Sequence, residues 1–486
     1  MGRMRVIFRT DASLQIGSGH VMRCLTLAEA LRLSGAEVEF VCRKHPGNLK
    51  EVVLNKGFVV YELPVSENLE SGGISDNDSG NEYESWLGVS QEQDAQETVK
   101  ELLEKKTDWL IVDHYALGQI WEKQLRPYAN KIMVIDDLAN RRHDCDLLLD
   151  QNYFINDELR YEGLLPPTCT KLLGPQFALL RPEFAEARKQ LKPRIGKVQS
   201  ILVFFGGTDP DNVTGKALDA ISVPEFSHLD VDVVIGSQNP HRTNIERQAK
   251  TRPRTKLHVQ VDNMAVLMAN ADLGLGAGGA TTWERLCLGL PSIVVTTAEN
   301  QTPFTKNLNQ DDCLKWLGSS KTIKVKELQK AIHDVVAQEA INSLQSKIGM
   351  EIVQGEGTLN VSKILTNGIL ADSWTIRQAN TSDCELYWHW ANDTKVRQNA
   401  FNTENITWEV HQEWFKSKLG DSDTTLYLVE SSLGPIGQVR FERSGQHYVI
   451  SYSIGRQFRG HGLGETLLAK AIEMFRESCG FSLIGE

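Results

Sequence analysis

The chain has 486 residues, of which 41% are hydrophobic and 24% charged, with a formal net charge of −11. This is the balance of a folded globular protein of two to four domains, and its sign argues against a general nucleic-acid or anionic-membrane surface. No apolar run reaches the length of a membrane span, and Met1-Gly2-Arg3-Met4 leads straight into a strand-like segment, so a cytoplasmic protein without membrane partners is expected. Eight cysteines are scattered with no CxxC or other metal-type spacing, which predicts buried free thiols and no metal site.

From residue 4 to about 185 strand and helix patterns alternate. Val6-Ile7-Phe8 is a strand, and Val21, Leu25, Ala28 and Leu31 fall on one face of a helix that Gly35 stops. Between them lies Arg9-Thr10-Asp11, then Gly17-Ser18-Gly19-His20-Val21-Met22-Arg23. Glycines at a helix start let backbone N–H groups approach an anionic ligand. His20 and Arg23, three apart, share a helix face distinct from the apolar one, so His20 is expected to point out of the core toward a ligand over Gly17 and Gly19, where an imidazole can activate water or a hydroxyl. Asp11 reads equally as a turn aspartate or as an orienting or substrate-bonding group.

Further strands are expected at Val38–Cys42 and 58–60. A segment from about Ser66 to Gln96, poor in aliphatic residues, reads as a flexible surface insertion. Trp109–Val112 and Ile132–Ile135 are apolar runs of the buried parallel type. Asp113-His114-Tyr115 and Asp136-Asp137 follow them, at strand ends where open α/β sheets bind ligands. Tyr115 can hydrogen-bond a sugar there.

A second block follows Lys192-Pro193-Arg194. The strand Ile201–Phe205 breaks at Gly206-Gly207-Thr208-Asp209-Pro210, which is either a plain turn or a phosphate contact through Gly207. Gly276-Ala277-Gly278-Gly279-Ala280-Thr281-Thr282-Trp283-Glu284 opens a helix whose glycines and hydroxyls, Gly278, Gly279 and Thr282, suit a diphosphate. Glu284 can accept from ribose hydroxyls or simply favour the helix dipole. Asn300-Gln301 follows the strand at Ile293–Val295. Two doubly wound α/β domains with a cleft between them are expected, spanning 1–190 and 198–355.

The stretch from Gly355 to Ser373 reads as a hinge or linker. A third block, 374–486, has a strand, aromatic helical segments around Trp388, Trp390, Trp408 and Trp414, and a meander of antiparallel strands. Arg459-Gly460-His461-Gly462-Leu463-Gly464 then opens a helix, an RxxGxG pattern that favours coenzyme A over a dinucleotide after such a meander.

Taken together, Arg9–Asp11, Gly17–Arg23, Asp113–Tyr115, Phe205–Pro210, Gly278-Gly279, Glu284 and Asn300-Gln301 resemble the nucleotide-sugar hydrolase family of pseudaminic acid biosynthesis over residues 4–355. The resemblance implies a glycosyltransferase-B-like pair of Rossmann-like domains. It also implies hydrolysis, by water and with inversion, of UDP-linked 2,4-diacetamido-2,4,6-trideoxy hexose, with no cofactor. His20 would be the base, Tyr115 a sugar contact, and UDP would lie near Gly278, Gly279 and Glu284. The last block resembles GNAT N-acetyltransferases, an α+β fold, which implies acetyl-CoA at Arg459, Gly460, Gly462 and Gly464 and N-acetylation of an amino-sugar precursor. The chain stops at Phe481–Glu486, where that fold's next strand is due, so an incomplete module is expected. A UDP-sugar glycosyltransferase with a non-catalytic binding module at its end is the competing reading.

Overall fold

The computed structural model describes residues 3–65, 83–102, 106–155, 157–367, 374–398, 400, 402–431, 434–445, 447–455, 458–459 and 463–479. It divides into two compact units, Met1–Ser362 and Lys363–Glu486.

The first unit holds two parallel sheets. In the first are β1 (Arg5–Thr10), β2 (Glu37–Arg43), β3 (Val59–Leu63), β4 (Thr107–Asp113), β5 (Ala129–Ile135), β6 (Leu147–Asp150) and β7 (Thr170–Leu173), ordered β3-β2-β1-β4-β5-β6-β7. The second has β8 (Ser200–Phe204), β9 (Asp230–Ile235), β10 (Thr255–Val259), β11 (Leu273–Ala277), β12 (Ser292–Thr296) and β13 (Lys315–Ser319), ordered β10-β9-β8-β11-β12-β13. Central strands such as β4 and β12 are apolar on both faces because helices cover both sides, which is why their sequences run continuously apolar instead of alternating. In each sheet the chain winds outward one way and then returns to the middle. The resulting crevices lie at the carboxyl ends of β1 and β4, and of β8 and β11, where doubly wound sheets bind ligands.

Two expectations change here. The segment expected to be a flexible insertion up to Gln96 includes an ordered helix, Gln91–Leu102, and a short turn of helix at Glu84–Trp86; residues 66–82 lie outside the described ones. Buried Asp94 anchors that helix. Its carboxylate accepts from Arg9 Nε at 3.0 Å, Arg9 Nη2 at 2.6 Å, Arg43 Nη2 at 2.6 Å and Trp121 Nε1 at 2.8 Å. The stretch after Gly355 is likewise no linker at first, because Gly357–Asn367 is a helix. Its Thr358 hydroxyl donates to Leu180 O at 2.7 Å and its Val361 is fully buried.

The second unit is a sheet of β14 (Thr375–Gln378), β15 (Thr424–Ser431), β16 (Gly434–Ser444) and β17 (His447–Ile454), antiparallel throughout in that order. The helix Leu463–Cys479 packs Leu467, Ala471 and Phe475 on Val439 and Phe441. Trp390 is core, buried with Tyr387, Phe415 and Leu428. Among the described residues no helix is long and apolar enough to cross a membrane.

Candidate active site

The site is built at the crevice between β1 and β4. Gly17, with φ of +80°, closes the loop by donating to Ser13 O at 2.9 Å, a conformation that favours glycine. Gly19 opens the helix Gly19–Leu33 with nothing near the place of a Cβ, and the surface from Gly17 to Gly19 is exposed.

His20 departs from its expected orientation. It is 8% exposed, folded inward at the first turn with its Nδ1 2.6 Å from Asp113 Oδ1. Asp113 closes β4, so the pair spans the crevice. Arg23 donates Nε to Asp113 Oδ2 at 2.6 Å and Nη2 to Oδ1 at 2.7 Å, and Cys24 Sγ lies 3.4 Å from Oδ2. Burial pushes the Asp113 carboxyl up, but Arg23 and then His20 outweigh it and hold it well below the usual carboxylate range. An ionised carboxylate can only accept, so Nδ1 is the donor of this bond. Nε2 has no hydrogen-bond partner among the described residues.

Asp137, the second of the paired acids expected past β5, is a hub of this crevice. It accepts from Arg23 Nη1 at 2.8 Å, Tyr115 Oη at 2.6 Å and Asn152 Nδ2 at 2.8 Å. Burial first, then the Asp137 charge, pushes the Tyr115 phenol well up, so it stays protonated and donates. Asn300, from the second sheet's side, donates Nδ2 to Tyr115 Oη at 3.1 Å. The structure thus brings His20, Arg23, Tyr115 and Asn300 into one network. Tyr115 itself is 4% exposed, with its ring edge-on to His20 at 4.5 Å and Trp86 and Tyr83 packed on it at 5.6 and 5.2 Å.

Asp11 does not join them. It is fully buried behind the crevice, paired to Arg9 Nη1 at 2.7 Å and accepting from Arg43 N at 2.6 Å. Its role here is to fix the end of β1 against β2, the turn-aspartate alternative rather than an open substrate contact.

At the crevice of the second sheet, Gly207 packs on Gly236, whose N donates to Gly207 O at 3.0 Å. A Cβ on Gly278 would come within 2.8 Å of Thr305 Oγ1, whereas one on Gly279 would stand 3.4 Å from Gln301 Nε2. Gln301 Oε1 accepts from Thr297 N at 2.9 Å. Thr282 is buried and its hydroxyl faces Ala277 O at 3.4 Å, so it braces the loop. Arg285, unremarked in the sequence, lies under the same loop and donates to Ala277 O at 2.8 Å; burial lowers its pKa to about 10. That guanidinium explains Gly276, where a Cβ would meet it at 2.5 Å. Glu284 takes a long contact from Arg181 Nη2 at 3.4 Å, and burial raises its carboxyl against that charge.

In the second unit Arg459 is already engaged, Nε to Ile454 O at 2.8 Å and Nη1 to Asp393 at 2.7 Å. Gly464 sits in the first turn of the helix after β17, with ordinary contacts to Ile454 and Tyr452; Gly460 and Gly462 lie outside the described residues. A cavity of about 870 Å³ in this unit is lined by Tyr387, Trp414, Gln438, Arg440, Tyr452 and Arg459 among others.

Comparison with known proteins agrees with this architecture. Residues 201–352 match the glycosyltransferase family 28 C-terminal domain, and residues 374–484 the acetyltransferase (GNAT) domain. The chain is 30% identical over 270 residues to the spore coat polysaccharide biosynthesis protein SpsG of Bacillus subtilis, covering 55% of this chain and 78% of that one. It is 27% identical over 299 residues to the UDP-2,4-diacetamido-2,4,6-trideoxy-beta-L-altropyranose hydrolase of Campylobacter jejuni, covering 61% and 93%. MurG of Acinetobacter baumannii shares the fold, with a TM-score of 0.51 at 15% identity over 75% of this chain and 99% of that one. The chain belongs to the family of SpsG, is a homologue of the Campylobacter jejuni hydrolase, has a glycosyltransferase-B fold, and carries a GNAT domain over residues 374–484.

Proposed function

We propose that the first unit hydrolyses a UDP-linked 2,4-diacetamido-2,4,6-trideoxy hexose to UDP and free sugar. The observation that carries this reading is the His20–Asp113 pair at 2.6 Å, at the crevice of a doubly wound sheet and beside the open Gly17–Gly19 loop. In this reading Asp113 holds the proton on Nδ1, and Nε2 takes a proton from water. The water oxygen bonds to the anomeric carbon as the bond from that carbon to the UDP oxygen breaks, inverting the centre. Arg23 keeps Asp113 ionised, and the Tyr115–Asp137–Asn300 bonds steady the imidazole's neighbour across the crevice. UDP rests on the second sheet's edge, against Gly278 and Gly279 with Gln301 and Glu284 alongside.

The second unit acts as an N-acetyltransferase on an amino-sugar precursor. Acetyl-CoA, when bound, supplies the acetyl group. Strand β17, which lines a cavity of about 870 Å³, and the helix Leu463–Cys479 with Gly464 at its start suit it.

The test is the full chain with UDP-linked diacetamido sugar and no acceptor. UDP should appear, and His20→Ala should stop it; near-normal release by a folded His20→Ala protein would refute the assignment. A glycosyltransferase is the second reading, favoured by the match of 201–352 to a glycosyltransferase domain, and it predicts UDP release that requires an acceptor.

A further inference from the structure

The aromatic surface beside His20 does not belong to Tyr115. Tyr115 is 4% exposed, and its hydroxyl is taken by Asp137 and Asn300. Trp86 lies nearly parallel to its ring, 26° between planes at 5.6 Å, and Tyr83 meets both, at 5.2 Å from Tyr115 and 4.7 Å from Trp86. Both Trp86 and Tyr83 remain only half-buried. The four rings therefore form one run from the imidazole outward, and its half-buried outer end is Trp86 and Tyr83, in a segment expected from the sequence to be a flexible surface insertion.

We propose that Trp86, with Tyr83, is the stacking subsite for the hexose ring and that it sets the preference for a sugar with apolar substituents. This rests on the hydrolase reading above. A deoxy hexose bearing two acetamido groups presents C–H bonds and three methyl groups, and little of it can be held by hydrogen bonds alone. Aromatic side chains offer rigid apolar area with a polar tip, which suits such a face. The indole and the imidazole both pack on the Tyr115 ring, at 5.6 and 4.5 Å between centroids, which places the platform one ring from His20. Tyr115 then acts as a positioning residue beneath the platform, not as a contact.

The probe is the free 2,4-diacetamido-2,4,6-trideoxy hexose, followed by saturation-transfer NMR on the full chain, together with steady-state release of UDP from the UDP-linked sugar. Trp86→Ala should abolish saturation of the sugar methyl signals and raise KM about tenfold or more, the size of a lost aromatic stack. The inhibition constant of UDP should stay within about twofold, because UDP rests on the other sheet. Trp86→Phe should keep most of the binding. Trp86→Leu, which preserves apolar volume but no ring, should behave like alanine and serves if Trp86→Ala does not fold. Trp86-dependent saturation without any UDP release would uphold the subsite and refute the hydrolase reading. Normal UDP release with unchanged KM and unchanged saturation in folded Trp86→Ala or Trp86→Leu would overturn the subsite and leave the hydrolase standing. A wild-type protein that neither saturates the sugar nor releases UDP would overturn both.

Discussion

Nδ1 of His20 lies 2.6 Å from Oδ1 of Asp113, although the two residues are 93 apart in the chain. The helix after β1 and the end of β4 bring them together at the sheet's topological crossing point. Asp113→Asn would keep the shape but let the amide favour the wrong imidazole tautomer. UDP release should fall by about 10²- to 10⁴-fold in kcat, the range seen when a base loses its orienting carboxylate. Steady-state kinetics on protein of verified secondary structure checks this, and a change of less than threefold would remove Asp113 from the proposed machinery.

Tyr115→Phe deletes the hydroxyl that donates to Asp137 and accepts from Asn300. Asp137 keeps Arg23 and Asn152, so the loss should be moderate, about 1–3 kcal/mol of unfolding free energy. Urea titration measures it, and Asn300→Ala should cost less, because it leaves the Tyr115–Asp137 bond in place.

Asp94 should matter more to stability than to turnover. Asp94→Ala leaves Arg9 and Arg43 buried without their shared carboxylate and should cost about 3–5 kcal/mol at neutral pH. Burial pushes this carboxyl up, but Arg9 and Arg43 override that and lower its pKa in the fold. A carboxyl lower in the folded than in the unfolded chain stabilises at neutral pH. That contribution fades as pH falls below the ordinary value of about 3.9 toward the folded one. Denaturation midpoints at several pH values should therefore drop steeply in acid for wild type and less steeply for Asp94→Asn.

Much of the sheet framework was legible because β1, β4, β5 and β8 are short continuous apolar runs, a strong signal for strands covered on both faces. His20, Arg23, Tyr115 and Asn300 could be named because each sits just past a strand or at a helix start. The inward turn of His20 was not legible, since helical spacing places it off the apolar face and only the distant Asp113 draws it in. Gln91–Leu102 was missed for a related reason. Its composition is polar, and what buries it is a carboxylate paired with arginines on β1 and β2, a long-range fit that no local pattern encodes. Arg285 was passed over because a helical arginine ordinarily points to solvent, whereas here the glycines of β11 make room for it.

The two loop glycines separate fold from ligand. Gly278→Ala puts a methyl within 2.8 Å of Thr305 Oγ1 and should lower the melting temperature. Gly279→Ala meets Gln301 Nε2 at 3.4 Å, so the fold should accept it with a change in melting temperature of a degree or two. Weaker UDP binding by calorimetry in Gly279→Ala alone would then report the nucleotide itself.

The most direct test of the central claim follows the oxygen. The full chain, UDP-linked diacetamido sugar and ¹⁸O-labelled water, with no acceptor, should yield UDP and free sugar in equal amounts, with the label on the sugar's anomeric hydroxyl and none on phosphate. His20→Ala should give neither product. Label on UDP, or UDP released only when an acceptor is added, would contradict water attack at the anomeric carbon.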